Sequence, residues 1–354
     1  MSALAQQLKQ RIRTSGPLSV ADYMDAVSSF YYGTRDPFGV AGDFITAPEI
    51  SQMFGELIGL WCAEFWQRIG TPNPVLLVEP GPGRGTLMAD ALRATRIVPG
   101  FAAAVQLHLI ERSPSLCRLQ AEKLEGFAPH WHDSIATLPA GPMLLIANEF
   151  LDALPIRQFE HRGNAWHERR IALAEDGEHL AFALDPQPSL LAAHLPAGNE
   201  GAIAELCPPA AALGTALGAR LAAEGGAALF IDYGYTAPAC GDTLQAVQRH
   251  QPQPVLAAPG DADLTAHVDF ARFASAARAG GAASYGPVTQ RAFLQRLGID
   301  TRAAALTKRA PAQAAAIHAA LERLIGASAM GSLFKVLALT QQAAPAPAGF
   351  DEKG

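Results

Sequence analysis

Residues Val78-Glu79-Pro80-Gly81-Pro82-Gly83-Arg84-Gly85-Thr86-Leu87, VEPGPGRGTL, decide how this chain is read. The run PVLLVEP that leads into them is short, apolar and bounded by prolines, which predicts a buried strand. TLMADALRAT, which follows, predicts a helix. A strand, a bare glycine turn and a helix make a nucleotide-binding arrangement. Glycine lets the backbone approach a ligand closely, and the helix N-terminus offers free N–H groups. Two familiar versions do not fit. A phosphate-gripping loop ends in Gly-Lys-Ser/Thr, whereas here Gly85 is followed by Thr86 and Leu87 and the loop holds no lysine. A dinucleotide fingerprint is spaced G-x-G-x-x-G, and here the third glycine comes one residue early.

Outward from the turn, strand and helix alternate. VQLHLIER reads as a strand and SPSLCRLQAEKLEG as a helix with Ser113 as its cap. A short strand precedes His132-Asp133-Ser134, and PMLLIANEF is another buried strand. This alternation predicts an α/β fold with a mostly parallel sheet. Residues 1–70 read mostly as helix. Leu4, Leu8 and Ile12 fit one face of a short surface helix, although Lys9, Arg11 and Arg13 without an acid also suit a transit peptide. PEISQMFGELIGLWCAEFWQRIG is a stronger helix, striped by Ile50, Phe54, Leu57, Ile58 and Trp61 and stopped by Gly70. Residues 155–195 break the rhythm with a hairpin turning at Gly163-Asn164. AALFIDYGY and SLFKVLALT are further strands, 236–290 is loop-rich, and the end of the chain reads as disordered.

The turn itself has the pattern E-x-G-x-G-x-G, which resembles the first motif of class I S-adenosylmethionine (SAM) methyltransferases. SAM has no phosphate and needs no lysine. It carries an ammonium, a sulfonium and a ribose, and an acid at the strand end, Glu79, suits its positive end. The second strand ends at Glu111, about 26 residues beyond Gly85, where a carboxylate can accept both ribose hydroxyls. The third is followed by Asp133 and Ser134, at the usual place for an acid that reads the adenine amino group.

Ligands in such sheets bind beyond the carboxyl ends of the strands. The fourth strand ends at NEFLDALP, where Asn148, Glu149 and Asp152 put an amide and two carboxylates close together. Carboxylates match the fork of N–H donors on a guanidinium. An acid there can also take up the proton released as a nitrogen is methylated. Asp232 and Tyr233, at the end of a central strand, are candidates to line the same crevice, and His267 is a candidate base or a structural histidine of its loop.

Taken in order, GDFITAPEISQMFGELIGLW, VEPGPGRGTL, NEFLDALPIRQF, FIDYGY, DLTAHVDF, TQRAFLQRLGI and MGSLFKVLAL resemble the MidA family from about Tyr23 to Leu339. These are protein arginine methyltransferases that assist the assembly of respiratory complex I in mitochondria, with many bacterial members. The resemblance implies a class I SAM-methyltransferase (Rossmann-like) fold with an N-terminal helical extension and inserted hairpin and helical segments. It implies SAM as cofactor, and dimethylation of an arginine in a protein partner such as a complex I subunit. Carried over, Glu79, Gly81, Gly83, Gly85, Leu87, Glu111, Arg112, Asp133 and Ser134 would line the cofactor. The loop Gly42-Asp43-Phe44-Ile45-Thr46 would close over it, with contacts from Gly42, Phe44 and Thr46. Asn148, Glu149 and Asp152 would face the acceptor. The expected organisation is a helical extension with the cofactor-covering loop over 1–70, a methyltransferase domain over 71–342 with insertions at about 155–225 and 236–290, and a disordered tail over 343–354. Ala47 stands where the family has serine, Phe30 where glycine precedes two tyrosines, and Arg291 where glycine is usual. Other readings are a non-catalytic SAM-binding assembly factor and a methyltransferase for small molecules.

The whole chain narrows the choice. It has 354 residues and a net charge of −6, and only 17% of residues are charged. No segment concentrates basic residues, which disfavours nucleic acid as a partner. No apolar run is long enough for a bilayer. Cys62, Cys117, Cys207 and Cys240 are widely spaced with no C-x-x-C pair, so neither a metal site nor a disulfide framework is expected. The expected location is the bacterial cytoplasm, or the mitochondrial matrix in a eukaryote.

Overall fold

The structure is a computed structural model that describes residues 3–34, 46–248 and 251–350. It divides into two compact units. One comprises 1–44, 152–212 and 237–269, and the other 45–151, 213–236 and 270–354. The expected 1–70 extension is thus shared out: of its described residues, 3–34 pack with the inserted segments and 46–70 with the sheet unit.

The sheet unit is built on seven strands, labelled here in chain order. They are β1 (Val75–Pro80), β2 (Val105–Ile110), β3 (His130–His132), β4 (Met143–Asn148), β5 (Gly226–Tyr235), β6 (Ala282–Thr289) and β7 (Phe334–Gln341). Their order is β3-β2-β1-β4-β5-β7-β6. β1 to β5 are mutually parallel, while β7 runs antiparallel to both neighbours. β1 and β4 are buried along their whole length, as their unbroken apolar runs predict for strands covered on both faces. The order reverses between β1 and β4, whose carboxyl ends hold Glu79 and Asn148. A ligand crevice belongs at such a switch point.

The predicted 48–70 helix is two helices. Ala47–Ile50 is a single turn. Ser51 then caps Gln52–Arg68, its hydroxyl accepting from the Met53 N–H at 3.2 Å. The longer helix lies against Thr86–Thr95, the helix that leaves the glycine turn. Gly55 and Gly59 make this possible: a Cβ on Gly59 would sit 2.5 Å from Ala91 Cα and 2.6 Å from its carbonyl oxygen. Next to them Glu56 is buried and ion-paired to both Arg302, at 2.8 Å, and Arg93, at 3.2 Å. Two expectations are corrected here. Residues 343–350 are packed rather than loose: Trp61 Nε1 donates to the Ala348 carbonyl at 2.9 Å and Phe350 lies against Phe293. The stretch 236–290 holds a helix, Phe270–Ala279, and β6.

In the other unit, helix Ala3–Ser15 buries Leu4, Leu8 and Ile12, the predicted stripe. The hairpin forms as read, with Arg157–Arg162 antiparallel to Ala165–Leu173. Gly163 and Asn164 turn it at φ 55° and 64°, the left-handed pair that matches strand twist. A three-stranded sheet from Gln245–Gln248, Gln251–Gln253 and Asp263–Thr265 completes the unit's strand pairing. Its polar interior is connected. Gln158 Nε2 donates to Glu205 and Asp242, both at 2.8 Å, and Arg169 Nη1 donates to Gln158 Oε1 and Asp242 Oδ2, both at 2.9 Å.

Gly59→Ala puts a methyl group into backbone that cannot give way. It is expected to lower stability by about 2–3 kcal/mol, read as a lower urea midpoint at unchanged slope. An unchanged midpoint would mean that the two helices can separate freely.

Candidate active site

β1 delivers Glu79 and then the glycine turn. Gly81, Gly83 and Gly85 all have positive φ, at 62°, 52° and 76°. At Gly81 there is also a steric demand, because a Cβ would stand 3.2 Å from the Phe150 ring. Gly85 begins helix Thr86–Thr95 without a side-chain cap, so the first-turn N–H groups, that of Leu87 included, have no helical acceptor. The Leu87 side chain itself is core.

Glu79 is buried, and its Oε2 has no hydrogen-bond partner among the described residues. Burial pushes its carboxyl up to about 8. A buried carboxylate with nothing to accept from is costly, and this one sits beside the bare turn.

Glu111 lies at the end of β2. Its Oε1 accepts from the Arg112 N–H at 2.9 Å and the Ser113 N–H at 2.8 Å, and its Oε2 accepts from Gln120 Nε2 at 3.2 Å. Burial raises this carboxyl, and those hydrogen bonds act against the rise. Asp133 is exposed at the end of β3, and its carbonyl accepts from Arg112 Nε at 3.2 Å. Ser134 opens a helical turn, its carbonyl accepting from Thr137. Glu79, the glycines, Glu111, Arg112, Asp133 and Ser134 therefore follow the ends of three adjacent parallel strands.

The fourth parallel strand end is tighter. Asn148 is buried. Its Nδ2 donates to Glu149 Oε1 at 3.2 Å, while its Oδ1 has no partner among the described residues. Glu149 has φ 49°, a conformation that costs a non-glycine residue roughly 1–3 kcal/mol and concentrates at functional sites. What holds it there is Asp232, which the sequence offered only as a lining residue. Asp232 Oδ2 accepts from the N–H groups of Phe150 and Leu151, at 3.1 and 2.9 Å, and Oδ1 accepts from Tyr233 at 2.9 Å. Glu149 Oε1 also accepts from the Ala47 N–H at 3.2 Å. Asp152 belongs to the other unit. It is buried, and its carbonyl accepts from the Ala266 N–H at 3.0 Å. His267 belongs there too, its N–H donating to Thr243 Oγ1 at 2.9 Å.

Of the covering loop, Gly42 and Phe44 lie outside the described residues. Thr46 caps the Ala47–Ile50 turn from an extended backbone, and its carbonyl accepts from the Glu49 N–H at 2.9 Å. Glu49 reaches the glycine-turn helix, accepting from Thr86 Oγ1, which itself accepts from Lys123 Nζ at 2.6 Å. In the sequence Glu49 reads only as the opening of the next helix, and Thr86, Lys123 and Gln120 carry no assigned role. Their spacing along the chain carries no local pattern.

A family model of S-adenosyl-L-methionine-dependent methyltransferases matches residues 57–288. The chain belongs to that family. It is 36% identical over 371 residues to a Danio rerio protein called "Protein arginine methyltransferase NDUFAF7, mitochondrial", covering 96% of this chain and 87% of that one. The Homo sapiens protein of the same name is 34% identical, with 96% and 83% covered. A COG1565 superfamily member from Burkholderia thailandensis, crystallised with S-adenosyl-homocysteine, superposes with a TM-score of 0.87 at 28% identity over 99% of this chain and 95% of that one. The enzyme is thus a SAM-dependent methyltransferase with a class I, Rossmann-like fold, as the strand order requires.

The residues present fit that cofactor. The turn carries no side chains at Gly81, Gly83 and Gly85, and Glu79 Oε2 beside it is a buried oxygen without a partner among the described residues. Among the described residues no cluster of His, Cys, Asp and Glu could hold a metal.

Glu79 has a consequence for stability without ligand. The folded form keeps its proton up to about pH 8, whereas an unfolded glutamate releases it near 4.3. The folded state therefore binds more protons across that window, and stability falls as pH rises through it, by at most about 1.4 kcal/mol per unit. Glu79→Gln removes this slope. Thermal melts of the ligand-free enzyme between pH 5 and 8 are expected to flatten in the variant. Parallel curves would show that Glu79 is not buried as a neutral acid.

Proposed function

We propose that this methyltransferase transfers methyl groups to an arginine side chain of a protein partner, dimethylating it, and that the partner is a respiratory complex I subunit. The observation that carries the reading is the unpartnered Asn148 Oδ1 next to Glu149, held at a strained φ where β4 ends. An amide oxygen and a carboxylate side by side offer acceptors for two N–H donors, which suits a planar guanidinium. A neutral metabolite has no such need. The NDUFAF7 names support the arginine and, through the mitochondrial designation, the link to the respiratory chain.

In this reading Glu111 holds the ribose hydroxyls, Asp133 with Ser134 reads the adenine amino group, and Glu79 takes the positive end of the cofactor. Gly81, Gly83, Gly85, the Leu87 N–H and Arg112 shape the rest, and Thr46 contributes from the edge of the described covering segment. When bound, SAM supplies an electrophilic methyl group on sulfur. The protein's task is to hold the arginine nitrogen in line with it and to exclude alternatives. Asn148 and Glu149 orient the guanidinium, and Glu149 or Asp152 takes up the proton that leaves the methylated nitrogen. No described helix is long and apolar enough to cross a membrane. The proposed location is the bacterial cytoplasm, or the mitochondrial matrix for a eukaryotic source.

Two measurements test this. Glu111→Ala is expected to weaken SAM binding in calorimetry by about tenfold or more, roughly 1.4 kcal/mol. Glu149→Gln and Asp152→Asn are expected to keep SAM affinity and lose at least about a hundredfold in transfer of labelled methyl to arginine in complex I subunits. Label on another residue type would refute the arginine reading. Full activity in both variants would leave the non-catalytic assembly factor as the better account.

A further inference from the structure

Gln120 is fully buried on helix Pro114–Lys123. Its Nε2 makes two hydrogen bonds, to the Gly83 carbonyl at 2.7 Å and to Glu111 Oε2 at 3.2 Å. Its Oε1 accepts from Trp131 Nε1 at 2.8 Å. An indole N–H can only donate. The amide oxygen must therefore face Trp131, and the amide NH₂ must face the turn and the acid. The orientation of this side chain, usually a matter of assignment, is fixed here by chemistry.

We infer that Gln120 is a positioning residue for cofactor binding, holding the glycine turn at Gly83 and the carboxylate of Glu111 in one register so that Glu111 can accept the ribose hydroxyls. The inference rests on the proposed role of Glu111 and adds the residue through which that role is set. The two segments it joins come from different strands, β1 and β2, and no local sequence rule fixes their spacing. Glu111 Oε1 is occupied by two backbone N–H groups, which pin one oxygen. The Gln120 bond on Oε2 sets the rotation of the carboxylate about that anchor. It also favours the ionised form against burial, and the ionised form is the one that accepts from hydroxyls without donating. Trp131, on β3, is the third part of the device, since it prevents the amide from turning over.

The test uses calorimetric binding of S-adenosyl-homocysteine and of its 2′,3′-dideoxy analogue to the full-length enzyme. Wild type is compared with Gln120→Leu, Glu111→Ala, the double variant and Trp131→Phe. Gln120→Leu is expected to weaken S-adenosyl-homocysteine by tenfold to a hundredfold and to leave the dideoxy analogue within about twofold. In the Glu111→Ala background the Gln120 effect is expected to vanish, the non-additivity of residues that act as one unit. The affinity of Gln120→Leu is also expected to fall more steeply than wild type as pH is lowered, because Glu111 loses a bond that favours its charge. Trp131→Phe keeps the amide but frees its orientation, and it is expected to show the same pattern more weakly. If Gln120→Leu does not fold, Trp131→Phe decides. Equal losses for both ligands, additivity with Glu111→Ala, or a Trp131→Phe that binds like wild type would overturn the inference. If Glu111→Ala itself leaves binding intact, the reading of Glu111 as the ribose acid fails instead.

Discussion

A buried acid with one oxygen left unpartnered is the constraint around which the sheet unit is arranged. Glu79 sits at the end of the central strand, where apolar residues on both faces exclude water. Such a group persists only if something repays its desolvation. Other buried or half-buried polar groups at the same edge of the sheet are met: Asp232 takes three backbone N–H groups, and Glu111 has partners on both oxygens. The exceptions, Glu79 Oε2 and Asn148 Oδ1, lie on the two strands between which the sheet order reverses. The protein leaves unsatisfied the acceptors that a cationic ligand and an N–H-rich substrate would satisfy.

That arrangement requires the turn after β1 to be held from outside, since a run of left-handed glycines has little stiffness of its own. Three supports supply it. Gly55 and Gly59 bring the long Gln52–Arg68 helix against the helix that the turn begins. Glu49, Thr86 and Lys123 tie the first turn of that helix to two neighbours. Gln120 binds the Gly83 carbonyl from the far side. The strained backbone at Glu149 is treated likewise, with Asp232 receiving the next two N–H groups so that the strain cannot relax by unwinding.

What could be read from the sequence follows from how local each signal is. The glycine turn, the acids at strand ends and the Gly163-Asn164 hairpin are contiguous patterns with a backbone cause, and the structure places them as read. Asp232 looked like one more lining residue because its role depends on Phe150 and Leu151, about 80 residues away. Gln120 sits in an ordinary helical stretch, and only the fold brings Gly83, Glu111 and Trp131 to it. The helix Phe270–Ala279 was hidden in a stretch read as loops. The chain's last turns were read as loose from their Ala, Pro and Gly content, yet Trp61 and Phe293 take them up. The division into units crosses the sequence five times, so no shift in composition marks it.

The chain's connectivity explains why the cofactor is easier to read than the acceptor. The residues proposed to serve SAM between Glu79 and Ser134 stand on one unit and follow strand ends in order. Besides the first 44 residues, the other unit comprises chain that departs just after β4, at residue 152, and just after β5, at residue 237. Those are the carboxyl ends of strands, where open α/β sheets hold their ligands, and elaborations there set what a shared fold acts upon. The inserted unit has its own rigid interior, the network of Gln158, Glu205, Asp242 and Arg169, in which each member is worth keeping only while the others remain. A flexible insertion would need no such network. The form of that unit is thus fixed by long-range polar pairing, while the strand ends of the sheet unit are fixed by local pattern.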